Sequence, residues 1–457
     1  MRIVPLRKPE HVTLTAKQAT QQLELKKKSA ELLLTKSLTS PFDRVTSDLN
    51  LNELFSTTSS IRNTKSIGDY LCLTTSSQLV SDEHGKIADI LLTVPPVDPA
   101  YDRAVDPMDG RHLTHLISLL WGSDSDRMFT MLCDPSQIQN VETWLSDLSI
   151  PQKNFSISIS TFGYSIWAQD AYVAMEGENG EAILCEGVHF PRYADPTIAD
   201  DVSAQTDKNT MQSYLYFQGG NILEVGDYIL IGMDYIVENL GRAHLETEEK
   251  VLSAFEATFG KEIIAVGRRE PIQDGHRIYL GGGHFQPIFH IDMYITPTGK
   301  KSINGKDIVV VGSPKLAREA IGEHSKATDF DFYFDECADQ MALYFEVVRM
   351  PLLPTRIKFS GNKERFYYLS FNNALVENYG EVSNVYLPSF SQDVTEYLES
   401  NNVESYEGDT VKRKLLDDAA RLAWENLGYC VHQMDGLEDL AIGWGSVHCI
   451  TKTLKRN

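Results

Sequence analysis

The chain is poor in the features that stabilise small secreted domains or hold metals. Its six cysteines (Cys72, Cys133, Cys185, Cys337, Cys430 and Cys449) are scattered through 457 residues, with no C-x-x-C pair and no metal-ligand spacing. That excludes a disulfide framework and the common zinc modules. Cys133 and Cys185 lie in apolar runs, where a free cysteine behaves as a small buried hydrophobe. No stretch approaches the roughly 20 apolar residues of a membrane span. MRIVPLRKPEHVTL, at the N-terminus, lacks the continuous apolar segment of a secretory signal. The expectation is a soluble, cytoplasmic protein, and this test does not address specialised secretion. There is no long low-complexity tract and no tandem repeat by identity, so any internal symmetry would be structural.

Basic residues are the scarcer charge: 42 Lys+Arg against 64 Asp+Glu leave a net charge of −22. Such a field disfavours nucleic acid and anionic membranes and favours a cationic partner. Apolar residues make up 42% and charged residues 23%, ordinary for a globular enzyme with a sizeable core.

Residues 1–100 read as an N-terminal extension. Lys17–Leu34 carries good helix formers, a Ser/Thr-rich segment follows at 46–66, and the prolines of TVPPVDP at 93–99 mark a boundary. In 101–457, β and α signals alternate. Strands are expected at MFTMLC (128–133), FSISIST (155–161), AILCEG, YILIGM, EIIAVG, DIVVVG, FYYLSF and NVYLP, and helices at IQNVETWLSDL, 245–258, 335–349 and 410–427. Interleaving of this kind argues for an α/β architecture.

Four segments could carry chemistry. HIDMYIT (290–296) reads as a strand, which would put His290 and Asp292 on one face. WAQD (167–170) offers Trp167 as a buried anchor and Asp170 as a carboxylate, or simply a turn. FQGGNIL (217–223) has glycines for a sharp turn or close approach, beside the Asn221 amide. GWGSVHCIT (443–451) leads into Cys449. If VHCIT is extended, His448 and Cys449 face opposite sides, which makes His448 a poor base for the thiol. YLGGGHF (279–285) lacks the Walker Lys-Ser/Thr and does not fit a dinucleotide fingerprint. Alone, each segment also has a plain structural reading.

Their order along the chain resembles the pentein superfamily of guanidine-modifying enzymes, which includes agmatine, arginine and peptidyl-arginine deiminases and amidinotransferases. The order is W-x-x-D, x-x-G-G-N, H-x-D and a C-terminal G-x-G-x-x-H-C-x-T, and YYLSFNNALVENYGEVSNVYLPSF (367–390) adds a fifth match. The resemblance implies a five-bladed α/β propeller of ββαβ modules around a central channel. It makes Cys449 the nucleophile, His290 the general acid/base, and Asp170 and Asp292 the guanidinium-gripping carboxylates. Trp167, Gln218, Asn221 and Asn373 fall on the substrate side. Gln218 departs from the family, where many members carry an acidic residue.

These residue types suit the chemistry. A guanidinium carbon is a poor electrophile, and a thiolate divides its hydrolysis into two easier steps. Two carboxylates can hold the planar N–H edges and orient the carbon. Neighbouring carboxylates raise the pKa of a thiol, so the thiolate is expected mainly with bound cationic substrate or protonated His290. No metal or organic cofactor is required. The expected activity is deimination of arginine, agmatine or an arginine side chain of a protein. The alternatives are amidino transfer at the same residues or an inactive binding protein.

Overall fold

The computed structural model describes residues 77–457 apart from 96–109, 161–163, 179, 189–194, 243–244, 280–282, 324–327, 360–362, 393–402 and 407–409. The expected helix at Lys17–Leu34, the Ser/Thr-rich segment, Cys72 and part of the 279–285 glycine cluster lie outside the described residues.

Strand pairing repeats one pattern five times: an antiparallel pair, a helical crossover, then a parallel partner. In the first module Ile87–Val94 pairs antiparallel with the C-terminal Lys452–Arg456, and parallel with Met128–Cys133 after helix Arg111–Ser123. Phe155–Ile159 adds a second parallel partner. The second module has Val173–Glu176, Ala182–Glu186 and Asn209–Gln212, with Gln78–Leu79 on its edge. The third has Ile222–Val225, Tyr228–Gly232 and Glu262–Val266. The fourth has Ile295–Lys301, Asp307–Ser313 and Glu346–Phe359, extended by Lys363–Ser370 and Val403–Tyr406. The fifth has Leu375–Tyr379, Val382–Pro388 and Cys430–Met434.

The mixed α/β class is therefore as expected, and the internal symmetry is structural. A closed five-bladed propeller is not shown by this pairing. Hydrogen bonding runs within five sheets of three to five strands, and among the described residues no strand ladder joins one sheet to the next. The boundary near residue 100 cuts through the first module, because Ile87–Val94 is a central strand of its sheet. The fully buried Ile90, Leu91 and Leu92 show why: apolar residues on both faces suit a strand covered on both sides.

The expected helix 335–349 ends earlier than read, because helix Asp329–Ala342 stops and strand Glu346–Phe359 begins. The prolines of RMPLLP hide that strand in the sequence. Pro351 sits where the parallel partner Asp307–Ser313 ends and the antiparallel partner Lys363–Ser370 takes over. Apolar residues from the first, third, fourth and fifth modules share one core, and Val173, Met175 and Cys185 join the second module to Ile222, Ile229 and Phe255 of the third.

Candidate active site

The five sequence segments occupy equivalent places in the five modules. Trp167–Asp170 precedes strand Val173–Glu176, Gln218–Asn221 precedes Ile222–Val225, and His290–Asp292 precedes Ile295–Lys301. Asn373 precedes Leu375–Tyr379, and Cys449 precedes Lys452–Arg456. Each functional side chain thus sits on the short turn that leads into the first strand of a module, where a rigid sheet holds it in place.

A closed ring of hydrogen bonds joins these turns. Gln169 N–H donates to Cys449 O (3.2 Å), and Gly219 N–H to Asp170 O (3.2 Å). Ile291 N–H donates to Asn221 Oδ1 (3.0 Å), and Asn373 Nδ2 to Asp292 O (3.4 Å). His448 N–H donates to Asn373 O (3.3 Å), which returns the ring to its start. Gly220 is required by closeness alone, since a Cβ there would lie 2.6 Å from His290 Nδ1 and 3.0 Å from Asp170 Oδ1.

Neither HIDMYIT nor VHCIT is a strand throughout. His290 is extended, but Ile291–Met293 forms a 3₁₀ turn and the strand begins at Ile295. Residues 446–451 form a turn closed by Ile450 N–H to Ser446 O (3.2 Å) and Thr451 N–H to His448 O (3.1 Å). Polar side chains that converge on one site compete better in turns than in a regular ladder, whose alternation would send half of them away. His448 and Cys449 consequently reach the same carboxylate. His448 Nδ1 lies 2.8 Å from Asp292 Oδ2, and the Cys449 thiol donates to that same oxygen at 3.6 Å.

Cys449 is 3% exposed. Asn373 holds it twice: Nδ2 donates to Sγ (3.1 Å), and Oδ1 accepts from the Cys449 N–H (3.1 Å). Burial first, then the charges of Asp292 and Asp170, push the thiol well above its usual range despite the Asn373 hydrogen bond. Without a cation in the site the sulfur is a protonated thiol at neutral pH. Asp292 Oδ1 is buried and has no hydrogen-bond partner among the described residues. An acceptor in that position is costly unless a donor arrives.

On the other side, His290 Nε2 donates to Gln218 Oε1 (2.9 Å), and the Tyr235 hydroxyl lies 3.1 Å from the same nitrogen. His290 Nδ1 faces Asp170 Oδ1 at 3.5 Å. Phe289 stacks obliquely on His290 at 4.3 Å and on Trp444 at 5.8 Å, forming an aromatic wall.

The structure brings together Cys449, His290, Asp170, Asp292, Gln218 and Asn373. It places Trp167 and Asn221 differently. Trp167 is buried beneath Gly445, where an added Cβ would lie 2.1 Å from the indole. Asn221, fully buried, accepts from Gln286 Nε2 (2.8 Å) as well as from Ile291 N–H, and so shapes the His290 turn. Sequence reading missed Tyr235, Asp82 and Lys452, and gave His448 no role. Lys452 is buried behind the site, and burial lowers its ammonium to about 8. Nothing in the sequence marked these residues, since two stand on ordinary strand or helix positions and Asp82 falls within the segment read as an extension.

Among solved structures that match, the agmatine deiminase of Enterococcus faecalis superposes with a TM-score of 0.56, 12% identity and coverage of 84% of this chain and 97% of that one. The agmatine deiminase of C. jejuni gives a TM-score of 0.54 and 12% identity over 83% of this chain and 98% of that one. No family model and no curated protein sequence matches the chain. The chain therefore shares its fold with these agmatine deiminases.

Proposed function

We propose that the chain is a guanidine deiminase, hydrolysing an arginine-type guanidinium to a ureido product and ammonia. The observation that carries this reading is the Cys449 thiol held by Asn373 against Asp292, whose second carboxylate oxygen has no donor among the described residues. A guanidinium supplies a planar edge of N–H donors that Asp292 and Asp170 can hold, and a positive charge that lowers the thiol pKa.

With substrate bound, the thiol gives its proton to His290 and sulfur attacks the guanidinium carbon. The C–S bond forms, and the C–N bond to the departing nitrogen breaks as His290 protonates it. His290 then takes a proton from water, which adds to the thiouronium carbon. Breakage of the C–S bond releases the ureido product and regenerates Cys449. The ring of hydrogen bonds through all five turns also supports reading the five sheets as blades around this site.

The place of Gln218 bears on the substrate. Its carboxamide oxygen is taken by His290, so it serves the acid/base rather than forming a separate subsite. This favours retained activity on free small guanidines over a site reserved for arginine in a protein. The test is ammonia and ureido product measured with agmatine, free arginine and an acylated arginine peptide, without added amine. Ammonia release with at least one of them is expected. No release from any, from protein whose Cys449 is alkylated by a haloacetamidine, sinks hydrolysis. Turnover appearing only with an amine acceptor would mean amidino transfer.

A further inference from the structure

Behind the Cys449 turn lies a second set of charges that the chemistry above does not use. His448 is the bridge to it. Its Nδ1 faces Asp292, and its Nε2 faces Asp82 Oδ1 at 3.7 Å. Asp82 is held in turn by the Glu224 N–H, which donates to its Oδ2 (2.9 Å), and by Arg456 Nη2, which donates to its main-chain oxygen (3.0 Å). A cavity opens on this side, with Asp82, Gln169, His448 and Lys452 on its walls. Lys452 Nζ donates to Gln169 O at 3.5 Å and lies 6.0 Å from the centre of the Tyr172 ring.

We propose that Asp82 is a positioning residue that keeps His448 an imidazolium between two carboxylates and thereby sets the reactivity of Cys449. The inference rests on the assignment of Cys449 as nucleophile. Asp292 stands beside the thiol and opposes its ionisation. A cation on Asp292 Oδ2, the oxygen that the thiol also meets, offsets that opposition and leaves Oδ1 open. His448 alone, buried, would lose its proton. Burial lowers its pKa, but the hydrogen bonds and charges of Asp292 and Asp82 prevail and raise it from 6.5 to about 9. Asp82 is reciprocally lowered by His448 against its own burial. The titratable groups around this pair are Asp292, with the Cys449 thiol on the same carboxylate, on the His448 side, and Lys452, Glu83, Glu224 and Arg456 around Asp82. The bend that precedes strand Ile87–Val94 thus contributes to the site from behind.

The test is the rate at which iodoacetamide alkylates Cys449 in the full chain without substrate, followed by peptide mass spectrometry across pH. Exposed Cys430 is the internal control for the reagent. In Asp82→Asn, His448 loses its proton at lower pH. Near pH 8 Cys449 should then react about tenfold more slowly than in the native chain, the effect of about one pKa unit on the thiolate. Near about pH 6 both proteins carry the imidazolium, and the rates should converge. His448→Gln keeps a polar contact to Asp292 without the charge. It should be slow near pH 8 and fail to converge at lower pH. A ratio that stays constant across pH in Asp82→Asn, or native rates in His448→Gln, overturns the inference. Ammonia release is measured in parallel. The expected alkylation pattern without turnover of any guanidine refutes the deiminase reading alone, whereas turnover with a flat ratio refutes the Asp82 inference alone.

Discussion

Glu377 and Asp292 are both buried carboxylates, and they differ in what they face. Glu377 meets the guanidinium of Arg127, which donates Nη1 to Oε1 (2.5 Å) and Nη2 to Oε2 (2.9 Å). The rest of that guanidinium is satisfied by Leu120 O, Ile87 O and Ser123 Oγ, while Ile87 N–H and the Tyr386 hydroxyl complete the carboxylate. Asp292 has a histidine and a thiol on one oxygen and, among the described residues, no hydrogen-bond partner on the other. The chain supplies a guanidinium to Glu377, whereas Asp292 Oδ1 meets no donor among the described residues. A saturated pair holds two modules together, whereas an unsaturated one stores the desolvation cost that a cationic ligand relieves.

The comparison predicts opposite failures. Cys449→Ser should lower turnover by at least about 10⁴-fold, the scale on which covalent nucleophiles fail, with little change in urea stability. Residual activity near the native level would remove the thiol from the mechanism. Arg127→Met leaves Glu377 buried and unpaired, and should cost about 3–5 kcal/mol in urea unfolding. Arg127→Met/Glu377→Met should recover most of that loss, because an apolar pair of similar volume carries no stranded charge. If the single variant is as stable as the native chain, the saturated pair is not what joins the first and fifth modules.

pH separates the two regions as well. For Glu377, burial raises the pKa but the hydrogen bond and charge of Arg127 prevail, so the folded value lies below the ordinary 4.5. Its contribution to stability is present above about 4.5 and is lost as pH falls through the lower folded value. His448 runs the other way. Its folded pKa is raised from 6.5 to about 9, so its contribution is complete below about 6.5 and is lost as pH rises through about 9. Buried Lys452, lowered to about 8, opposes this by gaining stability as it deprotonates. Thermal melts of native chain and His448→Gln isolate the histidine. A loss of a few degrees between about pH 6.5 and 9 is expected in the native chain and should be smaller in the variant.

Much of this was legible in the sequence, for reasons that can be stated by residue. Runs such as DIVVVG and YILIG are β-branched and apolar on both faces, and they form the strands they suggest. The candidate site residues could be picked out because the proposed chemistry calls for their types and they recur in order. What failed was local geometry. Period-2 alternation placed His448 away from Cys449, but the segment is a turn, so the two side chains meet at Asp292. The same assumption made HIDMYIT a strand, where a 3₁₀ turn intervenes. Asp82 was illegible because its place beside the site comes from its contact with His448, made between distant parts of the chain.

The smallest expected effect concerns Gln218, and it sharpens the contrast between residues that meet the substrate and residues that orient those that do. A neutral amide at this position has two readings. In one it removes charge from the pocket and shifts preference toward arginine whose α-amine is acylated. In the other it accepts the His290 Nε2–H and fixes the ring so that Nδ1 faces Asp170. The observed 2.9 Å contact supports the second. Gln218→Leu keeps the volume and removes the acceptor, leaving Tyr235 as the neighbour of Nε2. One hydrogen bond is worth about 0.5–1.5 kcal/mol, so kcat should fall about three- to tenfold. The fall should be the same for agmatine, free arginine and an acylated arginine peptide, with KM nearly unchanged, because the lost bond acts on proton transfer. If kcat/KM instead changes selectively among the three, Gln218 meets the substrate, and the preference for a small guanidine drawn from its place beside His290 is wrong.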